Sequence, residues 1–185
     1  MLDKSIPYIE FEMQRKEQQK LPERKIPEGY TFSYYQPGDE YAWQRIETSV
    51  GEFDDLTAAE TYFQKNFAPY PEELTKRMGF VEDSSGKKIA TCTAWWTKTG
   101  TPQFHWLAVM PEAQRKGIAS FLAVKMTNRL LDFYPEEPVF LRTQTWSHQA
   151  ISLYQKIGYT FVEETENFNQ GMEILENFGI ELSTR

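Results

Sequence analysis

Apolar residues recur along this chain with two periods, and the change from one to the other outlines its elements. Alternation, or a short unbroken apolar run, predicts strands at 6–13, 30–35, 78–82, 88–96, 104–109, 139–143 and 159–163. Steps of three and four predict helices instead. Trp43, Ile46 and Val50 mark one over 41–50, and Ile151, Tyr154 and Ile157 mark a short one over 150–157. Ile118, Phe121, Leu122, Met126, Leu130 and Phe133 share one face of a long helix that begins near Lys116. Thr57, with Glu60 three residues on, reads as a capping box opening a helix over 57–66, and Pro71 fits the first position of a short helical turn. Met172, Leu175 and Phe178 predict a terminal helix within 167–182. Asp83-Ser84-Ser85-Gly86 joins two strands as a hairpin turn, Pro135 and Pro138 break the pattern, and Gly158 ends the short helix.

From residue 30 onward the order is strand, helix, helix, three strands, helix, strand, helix, strand. The three consecutive strands predict antiparallel neighbours. The strand at 139–143 arrives after a helix, which implies a crossover and a parallel pairing with 104–109. The fold class is therefore mixed α/β, with one mostly antiparallel central sheet flanked by helices. Residues 1–29 read as an N-terminal extension lying against the edge of a domain at 30–185. Within it, 14–25 is nearly all charged or amide, and Pro22, Pro27 and Gly29 lead into the domain.

Composition narrows the function. With 40% hydrophobic and 15% aromatic residues, 185 residues bury one good core, and two full domains would be cramped. No apolar run approaches the roughly 20 residues that cross a bilayer, and the start lacks a signal-peptide core, so the expectation is a cytoplasmic protein without a membrane partner. A formal charge of −7 argues against a nucleic-acid partner and suits a cationic amine, although solubility alone would explain it equally. The single Cys92 excludes an internal disulfide framework and reads as buried filler. His105 and His148, without a cysteine or carboxylate cluster, make no metal site.

Residues 107–122 carry the first chemical signal. The strand stops near Met110 because Pro111 cannot donate to a ladder. Between it and the long helix lie Gln114, Arg115, Lys116, Gly117, Ile118 and Ala119. Gly117 and Ala119 are small enough for a ligand to approach the main chain, and the first helical amides lack internal partners at the positive end of the dipole. Arg115 and Lys116 add two cations. A pyrophosphate matches such a turn, and a basic helix start without a ligand is the plain alternative. Val109, Pro111 and Gln114-x-x-Gly117-x-Ala119 resemble the acetyl-coenzyme A loop of the GNAT superfamily of N-acetyltransferases. Ala150-x-x-x-Tyr154-x-x-x-Gly158-Tyr159 is similar to a second segment of the same family. The two matches come in the right order, and the resemblance covers about residues 30–162.

That resemblance implies a GNAT fold whose parallel central pair splays to admit acetyl-coenzyme A as co-substrate, with no metal. Main chain near Leu107 and Val109 would hold the pantetheine arm, and the loop amides would take the pyrophosphate. Tyr154 stands where the family's tyrosine is proposed to protonate the departing thiolate; core packing is its other reading. Ser147 replaces the family's asparagine and keeps one donor in place of an amide. The implied activity is transfer of an acetyl group to a primary amine, on a small molecule or a peptide, by direct attack. The alternative is an acyl-coenzyme A-binding sensor or regulatory module without turnover. Dimers are frequent in the family, which extends a homodimer to this chain by analogy.

Deprotonating an alkylammonium at neutral pH costs roughly 4 kcal/mol, so a base is worth seeking. His105 lies near where family members carry a catalytic Glu or His, and strand alternation places it on one face with Leu107 and Val109, opposite Trp106 and Ala108. A hydrogen-bonded core histidine is the competing reading. Glu47, Glu52 and Asp54 could hold a cationic acceptor or replace the base, among aromatic residues such as Trp43, Phe53, Phe63, Phe67, Trp95 and Trp146.

Overall fold

The computed structural model describes residues 2–181. In chain order the elements are β1 (Glu10–Arg15), β2 (Thr31–Tyr34), α1 (Glu40–Val50), α2 (Leu56–Asn66), α3 (Pro71–Arg77), β3 (Met78–Glu82), β4 (Lys88–Trp96) and β5 (Pro102–Val109). They continue with α4 (Ile118–Phe133), β6 (Val139–Gln144), α5 (His148–Lys156), β7 (Thr160–Phe161) and α6 (Phe168–Glu176). One seven-stranded sheet runs β2-β3-β4-β5-β6-β1-β7. Its pairs are antiparallel except β5–β6, as the crossover through α4 requires. The expected mixed, mostly antiparallel sheet with flanking helices is what forms.

Helices cover both faces. Phe104 touches Tyr154 of α5, with ring centroids 5.6 Å apart, whereas its neighbour His105 meets Tyr62 of α2. Successive strand residues point to opposite faces, so α1 and α2 lie on one side and α4 and α5 on the other. Trp43 anchors the α1–α2 layer: fully buried, it packs against Phe53, Tyr62, Phe63, Phe67 and Trp106. Helix α4 fills the opposite layer with Ile118, Leu122, Met126 and Leu130. Two helix starts differ from the sequence reading. Asp55, not Thr57, caps α2, its Oδ1 accepting from the Ala58 amide at 2.8 Å. Helix α4 begins at Ile118 because Gly117 is left-handed, with φ 83°. Leu182, the last residue of the expected terminal helix, lies outside the described residues, and α6 ends at Glu176.

The N-terminal residues are woven into the sheet rather than laid against its edge. Strand β1 sits between β6 and β7, pairing Glu10 through Arg15 with Gln144 through Val139, and Met13 and Gln14 with Phe161 and Thr160. Arg15, which the charged composition of 14–25 placed outside the strand, is 2% exposed; its guanidinium donates to the carbonyls of Ile157 and Gln19 at 3.0 and 2.8 Å. The chain then runs back along α4. Leu21 exchanges two hydrogen bonds with the Asn128 side chain, at 2.8 and 2.9 Å, and Pro27 reaches Gly117.

Candidate active site

Strands β5 and β6 pair only at Gln103–Phe140 and Phe104–Leu141 and then part. Beyond the parting, β5 runs on along β4 while β6 stays with β1, so a cleft opens in the plane of the sheet. It encloses about 1160 Å³ and reaches residues from both helical layers. Leu107, His105, Ser147 and Tyr154 line it together; Val109, Gln114, Arg115, Lys116, Gly117, Ile118 and Ala119 do not.

A bulge shapes the β5 wall. Thr93 faces His105 and Thr91 faces Ala108, so β5 carries one more residue than β4 across this interval. Trp106 absorbs it in a left-handed conformation, with φ 53°. The alternation read from sequence fails here for that reason. His105 shares its face with Ala108, while Val109, opposite Ala90, lies on the other face with Phe104. The bulge also turns Trp106 toward α2, where its indole N–H donates to the Tyr62 hydroxyl at 3.3 Å. The same hydroxyl lies 3.2 Å from Nε2 of His105.

The turn after β5 is exposed, carries two cations and opens α4. Gln114 donates through its amide to the Val109 carbonyl at 2.9 Å, which fixes the strand end. Arg115 and Gly117 are both left-handed, with φ 62° and 83°, and Arg115, Lys116 and Gly117 are exposed. The first bond of α4 runs from the Phe121 amide to the Gly117 carbonyl at 3.0 Å. The amides of Ile118, Ala119 and Ser120 therefore precede the helical ladder and have no partner in it.

Electrostatics divides the cleft. Burial holds the Tyr154 hydroxyl above its ordinary pKa, so it stays protonated, and burial lowers His105 to about 3, so its ring stays neutral. Glu47, on the inward face of α1, is 1% exposed and is pushed well above the carboxylate range by burial, with Glu52 adding to the shift. Glu52 is raised by its own burial, against the opposing pull of Lys4 and a hydrogen bond from Gln144. Asp54 is exposed and lies away from the cleft, as do Trp43 and Phe63. Phe67, Trp95 and Trp146 do line it. Sequence reasoning passed over Tyr62, which reads as an ordinary helix residue, and over Leu2, Lys4, Tyr8, Glu10 and Glu12, which β1 and the arm before it bring to the wall.

Among the described residues no group of three His, Cys, Asp or Glu is placed to hold a metal, and no helix is long and apolar enough to cross a membrane.

Among the described residues the site is therefore framed by a mixed sheet that parts at its one parallel pair. The sequence profile of the acetyltransferase (GNAT) family matches residues 35–159, and the chain belongs to that family. Among solved structures it is similar to a GCN5-related N-acetyltransferase from Sphaerobacter thermophilus, with a TM-score of 0.66 and 22% identity over 83% of this chain and 48% of that one. A GNAT-family acetyltransferase from Colwellia psychrerythraea gives 0.61 and 12% identity over 85% and 55%. A tandem GNAT protein from the clavulanic acid biosynthesis pathway gives 0.59 and 14% over 85% and 51%. At these identities the likeness is one of fold, and the chain spans about half the length of these proteins. No curated protein matches it.

Proposed function

We propose that the protein transfers an acetyl group from acetyl-coenzyme A to a primary amine by direct attack, without a covalent enzyme intermediate. The observation that carries this reading is the cleft itself, which brings Leu107, Ser147 and Tyr154 to one opening on β5, the strand that leads into an exposed basic turn. The residues present fit the co-substrate. The unpartnered amides of Ile118, Ala119 and Ser120, together with Arg115 and Lys116, suit a pyrophosphate, and Gly117 keeps the turn free of a side chain. Main chain at the Leu107 bulge, left out of regular pairing, suits a pantetheine arm. When bound, acetyl-coenzyme A supplies the electrophilic thioester carbonyl. Tyr154, kept protonated by burial, is the acid that donates a proton to the leaving sulfur.

His105 fits a narrower part than proton store. Charging a ring whose pKa is about 3 costs on the order of 5 kcal/mol at neutral pH, and its Nε2 faces the Tyr62 hydroxyl. A neutral His105 can orient the amine or relay a hydrogen bond. Release of free thiol on mixing the protein with acetyl-coenzyme A and a panel of amines tests the proposal. Tight binding of acetyl-coenzyme A with no transfer to any amine would favour the sensor reading instead.

A further inference from the structure

We infer that Glu47 binds the acceptor's ammonium group and takes its proton, and that the acceptor is a singly charged primary amine on an apolar body; this rests on the transferase reading above. Glu47 lies one helical turn beyond Trp43 and lines the cleft, and its Oε1 has no hydrogen-bond partner among the described residues. Other carboxylates on the cleft are answered. Glu10 and Glu12 face Arg142 at 3.6 and 3.8 Å, and Glu52 has Lys4 and Gln144. A buried carboxylate oxygen without a partner is costly to a fold and is retained where a ligand completes it.

The surroundings of Glu47 specify the ligand. Tyr62 lines the same cleft, the pKa of its hydroxyl raised by burial with the Glu47 charge adding a smaller push, and it packs edge-on to Trp106 at 5.2 Å, so these rings offer aromatic surface to a cation. Phe67 and Trp95 continue the apolar wall. Over the whole cleft the charges cancel. That cancellation includes Glu47 itself: Glu10, Glu12, Glu47 and Glu52 stand against Lys4, Lys65, Lys98 and Arg142, so the other three carboxylates already meet four cations. A polycation therefore meets no net negative field at the entrance, and one unanswered carboxylate matches one ammonium.

The Glu47 carboxylate takes a proton from the ammonium, and the freed nitrogen lone pair forms the C–N bond as the C–S bond breaks. The leaving sulfur takes the Tyr154 proton. The second amine proton, shed as the amide forms, restores Tyr154, and the proton on Glu47 returns to water. Because the Glu47 carboxyl titrates above its usual range, kcat/KM rises with pH as it ionises. Glu52 from the α1–α2 connection, Tyr62 from α2, Cys92 from β4, His105 from β5 and Tyr154 from α5 share the region. Of these only Glu52 is displaced in the same direction from a carboxylate value, so it is the control.

The test uses the full-length protein with 2-phenylethylamine and spermidine as probes. Amine binding is measured by calorimetry, and thiol release is followed against pH, for wild type, Glu47→Gln and Glu52→Gln. Glu47→Gln is expected to weaken binding of 2-phenylethylamine by about tenfold or more. It should lower kcat/KM by about 100-fold or more and abolish the acidic limb of the profile. It should leave coenzyme A binding and the thermal transition intact, while Glu52→Gln keeps the limb. Wild type should prefer 2-phenylethylamine to spermidine. A Glu47→Gln protein that binds the amine normally and keeps the limb, or a preference for spermidine, overturns the inference. Wild type that binds the amine through Glu47 yet releases no thiol sinks the transferase reading and the proton step with it, while the ammonium site stands.

Discussion

The protein around Tyr154 and His105 shifts the two groups in opposite directions, and each makes a different measurement decisive. Tyr154→Phe keeps the ring against Phe104 and removes the proton, so kcat should fall about 100-fold while acetyl-coenzyme A affinity measured by calorimetry stays nearly unchanged. An unchanged kcat would return Tyr154 to core packing. His105 enters through stability. Its pKa of about 3 in the fold lies below the value near 6.5 in the unfolded chain, so between the two the unfolded state binds more protons. The penalty is absent above pH 6.5 and grows as pH falls toward 3. Denaturant midpoints should therefore drop across that window for wild type, and His105→Gln should flatten the drop; an identical slope in both proteins would contradict the lowered pKa of the ring.

At the scale of elements, what could be read from sequence was what depends on near neighbours. The face of Ile118, Phe121, Leu122 and Met126 announces α4, and Asp83 through Gly86 announces the β3–β4 hairpin, because both signals lie within a few residues. The bulge at Trp106 was hidden. It is a mismatch of count between β5 and β4, visible only once Thr91 and Thr93 are seen opposite Ala108 and His105. Its hidden status cost the sequence reading the facing of His105 against Val109, and with it the partnership of Trp106 and Tyr62. The turn after β5 was legible in composition, and its left-handed Gly117 gives a direct test. A Cβ there would meet only Pro27 Cγ, at an ordinary 3.5 Å, so crowding is no obstacle and the cost of Gly117→Ala is conformational. It should destabilise by about 1 kcal/mol. Because the strain falls on the loop proposed to take the pyrophosphate, coenzyme A affinity should fall by more than stability does. Equal affinity in the two proteins would move the pyrophosphate elsewhere.

Over the whole molecule, the sheet is closed by residues far apart in sequence, which local patterns cannot announce. Strand β1 supplies the only partner of the two-residue β7 and one full side of β6 among the described residues. Phe11 and Met13 within it are 0% exposed, and Gly171 of α6 approaches so closely that a Cβ there would collide with the Phe11 ring. Truncating two such side chains alone costs about 2–5 kcal/mol each. Removing the strand also deprives the Ile157 carbonyl of Arg15 and leaves β6 with an open edge. These losses together match or exceed the 5–15 kcal/mol that holds a typical domain folded. A chain beginning at residue 30 should therefore lack a cooperative thermal transition and aggregate. One beginning at residue 9 keeps β1 and should unfold cooperatively, but without Lys4 over the Trp146 ring and Tyr8 on its edge the cleft loses a wall. Amine KM should then rise while coenzyme A affinity holds, since the turn around Gly117 is braced by Pro27 and not by the arm. A folded, active protein starting at residue 30 would show that the N-terminal strand is dispensable and that β6 finds another partner.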